Sequence, residues 1–171
     1  MEQLFEIKSL NNTYCNQILD LILPIQQIEF QVPVTLEGQP DLLDIETNYI
    51  KPGGNFWGAL TQEDQLIGSI ALMSVGNQTG VIRKMFVKKD FRGKELGIAQ
   101  RLLDILIQEC KVQQITSIYL GTIDVLKAAH RFYEKNGFVC IPVTDLPHYF
   151  PRMMADNVFY RLYLDANKQI L

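Results

Sequence analysis

Residues 81–103 read Val81-Ile-Arg-Lys-Met-Phe-Val-Lys-Lys-Asp-Phe-Arg-Gly-Lys-Glu-Leu-Gly-Ile-Ala-Gln-Arg-Leu-Leu103, and the fold is decided here. The stretch opens on an apolar, β-branched run at 81–87, the composition of a strand. It leads into the best helical pattern of the chain, 96–110. There Ala99, Leu102, Leu103, Leu106, Ile107 and Cys110 share one face, while Arg101, Asp104, Gln108 and Glu109 lie off it. A second apolar strand follows at 115–120. A strand, a helix of this length and a strand make a crossover connection, so 81–87 and 115–120 are expected to be parallel neighbours.

Working outward, 4–7 reads as a first strand and 11–30 as a helix, with apolar residues at Ile18, Leu21, Ile22, Ile25 and Ile28. Pro24 is expected to kink or end that helix. Part of the mixed stretch after it, 42–49, reads as a second short helix. Segments 56–60 and 65–75 are strands joined by a polar turn at 61–64, and with 81–87 they form an antiparallel meander. Downstream, 124–136 is a helix with Val125, Ala129 and Phe132 inward. Gly137 stands where a helix C-terminus takes a left-handed residue. Two closing strands, 138–143 and 158–164, flank an apolar, aromatic loop. The expected class is α+β: a mixed sheet of six or seven strands, an antiparallel N-terminal meander, a central parallel βαβ crossover and about four helices. At 171 residues the chain is read as one domain, 1–171.

Charge is uneven along the chain. Residues 83–101 hold Arg83, Lys84, Lys88, Lys89, Arg92, Lys94 and Arg101 against Asp90 and Glu95, a local excess of +5 in a chain of net charge −3. The overall sign argues against a general nucleic-acid binder. The local cluster runs directly into a helix N-terminus, whose first amides lack internal partners and whose dipole favours anions; phosphate is the natural occupant. The stretch is neither a P-loop nor a dinucleotide fingerprint, because it has no Gly-Lys-Ser/Thr and no G-x-G-x-x-G.

Lys94-Glu-Leu-Gly97-Ile-Ala99, followed by Leu102-Leu103, resembles the acetyl-CoA signature of the GCN5-related N-acetyltransferase (GNAT) family: Gln/Arg-x-x-Gly-x-Gly/Ala after a strand and opening a helix. Lys94 stands where that signature has Gln or Arg. Arg92-Gly93-Lys94 is similar to a lead-in common in the family. Counted from Arg92, however, the first signature glycine would fall on Glu95, so Lys94 sets the frame. Further on, Ala129-His-Arg-Phe-Tyr133-Glu-Lys-Asn-Gly-Phe138 is similar to the family's Ala-x-x-Phe-Tyr-x-x-x-Gly-Phe segment.

The resemblance implies that backbone amides of Lys94, Glu95, Leu96, Gly97, Ile98 and Ala99 hold the pyrophosphate of acetyl-CoA. It implies that Met85, Phe86 and Val87 line the pantetheine arm and thioester, and that Tyr133 faces the CoA sulfur as the catalytic residue. A phenol of ordinary pKa ~10 stays protonated at neutral pH and can donate to a leaving thiolate. The implied reaction is acetyl transfer to a primary amine by direct attack in a ternary complex. A non-catalytic CoA-binding sensor or interaction module of the same fold is the alternative. The implied acceptor is a small-molecule or peptide amine, with no metal, and a homodimer through the apolar closing strands is possible.

The strand 81–87 lacks the acid that some family members carry, which leaves the general base open among Glu29, Asp44, Glu46, Asp124, His130, His148 and a chain of waters. Tyr49, Trp57, Tyr149, Phe150 and Arg152 are candidates for an acceptor pocket, though Trp57 and Phe150 also read as core. If Arg152 faces that pocket, a carboxylated acceptor follows. Cys15, Cys110 and Cys140 fit no disulfide, zinc or nucleophile pattern and read as buried thiols. The amino end lacks a signal-peptide profile and no apolar run reaches the ~20 residues of a membrane span, so the cytoplasm is the expected compartment and no membrane partner is expected.

Overall fold

The computed structural model describes residues 4–164. Seven strands form one sheet: β1 (Phe5–Ser9), β2 (Asn55–Thr61), β3 (Leu66–Ser74), β4 (Thr79–Val87), β5 (Ser117–Thr122), β6 (Val139–Ile141) and β7 (Val158–Tyr163). Their order across the sheet is β1-β2-β3-β4-β5-β7-β6. Every pair is antiparallel except β4 and β5, which are parallel as the crossover requires. The helices are α1 (Cys15–Pro24), α2 (Ile98–Val112) and α3 (Lys127–Lys135), with a π-helical fourth segment at Glu46–Ile50.

The two faces of the sheet carry separate cores. On one, the stripe of α2 buries Leu102, Leu103, Leu106 and Cys110 against Ile70, Leu72 and Ile82, joined by Tyr133 and Phe138 around α3. Each fully buried leucine contributes on the order of 1.5–3 kcal/mol relative to exposure. On the other face, Ile18, Leu21 and Ile22 of α1 pack with Leu42, Ile45, Tyr49 and Phe56. A smaller cluster of Tyr119, Ile141 and Phe159 closes the β7–β6 end.

Several expectations shift. The regular α-helix ends at Pro24 as expected, but the chain does not leave the helical path: it continues directly into a π-helical turn, Ile25–Glu29. Proline has no N–H for the carbonyl four residues back, and the wider turn accommodates the loss. The altered phase leaves Ile28 facing solvent instead of the core. The segment expected as a helix at 42–49 is split into a 3₁₀ turn, Pro40–Leu43, and the π turn Glu46–Ile50. α2 starts at Ile98, after the left-handed Gly97, so Leu96 belongs to the loop. α3 starts at Lys127, which leaves Val125 exposed. β6 is shorter than 138–143 and exposes Cys140, so only Cys15 and Cys110 are buried thiols. Among the described residues no helix is long and apolar enough to cross a membrane.

Candidate active site

The site begins where β4 and β5 part. They pair from Thr79 with Ser117 to Ile82 with Leu120 and no further. β4 continues to Val87, still paired to β3 on its other side. Arg83 to Val87 therefore present an unpaired edge to a wedge-shaped gap. Unpaired strand edges offer backbone donors and acceptors to whatever enters.

A β-bulge shapes this edge. Ser69 faces Phe86 and Ala71 faces Arg83, so β4 carries one residue more than β3 between those pairs. The extra residue is Lys84, at φ 55°, and Ser69 Oγ donates to its carbonyl at 2.7 Å. Strict alternation would send Arg83 and Lys84 to opposite faces. With the bulge, both reach the α1 face. Arg83 Nη2 donates to Pro151 O at 2.9 Å, and Lys84 Nζ donates to Gln39 Oε1 at 2.6 Å. Lys84 is buried, and its ammonium lies 3.6 Å from Asp41, which also accepts the Tyr49 hydroxyl at 2.5 Å. Desolvation pulls the Lys84 pKa down, and the Asp41 carboxylate opposes that shift.

A cavity of about 460 Å³ runs through the sheet at the gap. From the α1 face it is bounded by Gln26, Gln39 and the segment 33–35, and from the other face by Leu126, Ala129 and Tyr133. Tyr133 is buried, and its hydroxyl points at Met85 Sδ, 3.5 Å away. Burial raises the phenol's pKa, so it is a proton donor throughout the physiological range. The fold thus brings Tyr133 of α3 against Met85 of β4, two residues 48 positions apart in the chain.

The loop before α2 lies at the outer end of the same β4 edge. Gly97 caps α2 in left-handed conformation (φ 64°, ψ 26°) and supplies no capping side chain, so the amides of Ile98, Ala99 and Gln100 open onto the loop. The Gly97 amide itself donates to Gly93 O at 3.2 Å and is already used. Lys94 and Glu95 are exposed, Leu96 and Gly97 half-buried, and the Ile98 side chain is in the core. Arg92 is committed elsewhere: it donates to Val87 O at 2.8 Å and forms a two-pronged pair with Glu29. Among the described residues, Lys88, Lys89 and Lys94 take part in no ion pair. Uncapped amides beside unpaired lysines fit a diphosphate, and the open β4 edge fits an extended amide-containing arm.

None of the acids and histidines that the sequence singled out lines this cavity. Glu29 is held by Arg92, which lowers its pKa. Asp44 and Glu46 cap turns and bind Asn12. His130 bonds Ile123 O at 2.9 Å, and His148 packs edge-on to Tyr149. Of the proposed pocket residues, only Phe150 is at the cavity; Tyr49 and Trp57 are core. Arg152 lies over the Phe159 ring, 5.3 Å from its centroid. The cations at the cavity are Arg83 and Lys84, and the acid is Asp156. Sequence reasoning missed these because a bulge and an irregular loop place them, and neither leaves a periodic signal.

A sheet split at its only parallel pair among the described strands, with an uncapped helix at one end of the split and a phenol at the other, defines an acyl-CoA transferase type of architecture. The chain belongs to the acetyltransferase (GNAT) family, whose model matches residues 19–138. It is similar to a GNAT-family acetyltransferase from Staphylococcus aureus Mu50, with 41% identity, a TM-score of 0.91, and coverage of 94% of this chain and 99% of that one. It is also similar to the N-acetylaspartate synthetase of Xenopus tropicalis, at 35% identity over 127 residues. That match takes in 71% of this chain and 45% of the relative, so the chain spans less than half the length of that relative. Fold likeness extends to N-acetylglutamate synthase from Neisseria gonorrhoeae, complexed with coenzyme A and N-acetyl-glutamate (16% identity, TM-score 0.73, 96% of this chain, 36% of that one).

Proposed function

We propose that this protein transfers an acetyl group from acetyl-CoA to the primary amine of a small acceptor that carries a carboxylate, both substrates being bound together. One observation carries the reading: the cavity crosses the sheet at the β4–β5 split, with Tyr133 on one face and Arg83 and Lys84 on the other. A thioester laid along the β4 edge would put its sulfur beside Tyr133 and open its carbonyl to an amine from the α1 face. The loop from Lys94 to Ala99, apart from the Gly97 amide that already bonds Gly93 O, would hold the diphosphate, and Met85, Phe86 and Val87 the arm. Orientation of two substrates and stabilisation of the leaving thiolate are the enzyme's contributions. No ion pair among the described residues includes Arg83, which leaves its charge for an acceptor carboxylate. The names of relatives that make N-acetylaspartate and of a fold neighbour holding N-acetyl-glutamate support the same acceptor class.

The test is release of free CoA thiol across α-amino acids, their decarboxylated amines and polyamines. Carboxylated acceptors are expected to turn over faster, and Arg83→Gln to erase about tenfold of that preference, the worth of one charge-assisted hydrogen bond. Equal turnover of carboxylated and decarboxylated amines would reject the acceptor class. CoA binding by calorimetry with no thiol release from any amine would establish the non-catalytic module instead.

A further inference from the structure

An amine must lose a proton before it attacks, and the acids legible in the sequence lie away from the cavity. Asp156 is in the loop between β6 and β7, and it lines the cavity at the level of Arg83 and Gly121. Those two residues are the first beyond the last β4–β5 pair, Ile82 with Leu120. The carboxyl group thus stands at the apex of the wedge, on the face with Arg83 and Lys84 and across the sheet from Tyr133.

The placement is built. A methyl group at position 121 would overlap Asp156 Oδ2, so the close approach exists because that residue is glycine. The Met153 N–H donates to the same oxygen at 3.3 Å, and the Asp156 N–H donates to Met153 O at 3.1 Å. The next residue, Asn157, is pinned to β5 by its N–H on Thr122 O at 2.9 Å, and its side chain accepts from Asp124 N–H at 2.9 Å. No ion pair among the described residues includes Asp156.

We infer that Asp156 is the catalytic proton acceptor for the incoming ammonium, an assignment that rests on the acetyl-transfer reading above. The ammonium gives one proton to the Asp156 carboxylate. The freed nitrogen pair forms a bond to the thioester carbonyl carbon, and the carbon–sulfur bond breaks with its pair going to sulfur. Sulfur takes the Tyr133 hydroxyl proton, the second nitrogen proton restores the phenol, and Asp156 returns its proton to water. Burial raises the Asp156 pKa, while the hydrogen bond from Met153 N–H, then Arg83 and Lys84 from β4 and Arg152 from its own loop, pull it down. Burial is the larger effect, so the carboxylate is a better base than an exposed one.

The test compares L-aspartate with its α-amide, whose amine is less basic. In the wild type, the acid limb of the kcat/KM profile should be the same for both acceptors, because it reports Asp156. Asp156→Asn should lower kcat/KM for L-aspartate roughly 10²-fold or more at pH 7. The loss should shrink as pH nears the acceptor's own pKa and be smaller for the α-amide, with CoA affinity by calorimetry unchanged. An acid limb that tracks acceptor pKa in the wild type, a loss uniform across pH and acceptors, or no loss would each overturn the assignment. If the thiol-release screen above finds no carboxylated acceptor, the acceptor reading fails and removes the basis for this one; that failure shows before any variant is made.

Discussion

Tyr133 is held by its neighbours more than by its own helix. Its ring packs edge-on to Phe132 and Phe138 and tilted against Tyr160, with centroids 5.5–5.9 Å away. Removing the hydroxyl leaves that packing intact, so Tyr133→Phe is expected to fold normally. Its kcat should fall roughly 10²-fold, the low end of general-acid effects, while the Kd for CoA stays within about twofold of the wild type. Equal losses in kcat and affinity would assign the hydroxyl to binding instead. The methyl of Gly121→Ala has no room beside Asp156. Displacing that carboxylate by an ångström should cost roughly 10²-fold in kcat/KM, again with CoA affinity preserved. The motif around Tyr133 was legible from sequence because it is local. Lys84 and Asp156 were not: the first needs the bulge opposite Ser69, and the second needs the chain beyond α3, which ends at Lys135, to return to Gly121 of β5.

At the scale of elements, α2 does two jobs. Its stripe anchors the core, and Leu106 is fully buried in it. Leu106→Ala is expected to cost about 2–5 kcal/mol, read as a lower denaturant midpoint. Its N-terminus needs Gly97 in a left-handed conformation. An alanine there costs on the order of 1–2 kcal/mol, and each kcal/mol lowers Tm by about 2–4 °C for a chain of this size. Gly97→Ala should therefore melt several degrees lower and bind CoA more weakly. Periodicity found α2 and the meander because their apolar residues repeat with the element. It misplaced the region after α1, where Pro24 shifts the helix to π-type and the next helical pieces are single turns stabilised by Asp41, Asp44 and Glu46 contacts. Single turns held by tertiary contacts carry no repeat to detect.

Across the whole molecule, the Glu29–Arg92 pair ties the end of the α1 region to the loop that precedes α2. Glu29's carboxyl pKa is lowered, chiefly by its hydrogen bond from Arg92. A group whose pKa falls on folding stabilises the folded state above its unfolded pKa, ~4.3 for glutamate, and loses that contribution as pH drops through the folded value. Stability measured by denaturation should therefore fall across this acidic window in the wild type and fall less in Glu29→Gln. Both groups are partly exposed, so the difference near neutrality should be within about 1 kcal/mol. The same tie keeps the loop seated against β4. On the proposed reading, CoA occupies the β4 edge and the α2 N-terminus together. Amide NMR of the ¹⁵N-labelled protein titrated with CoA tests it directly: Met85, Phe86, Val87, Ile98 and Ala99 should shift as one set. Shifts absent from those amides at saturating CoA, or confined to the opposite end of the sheet, would contradict it.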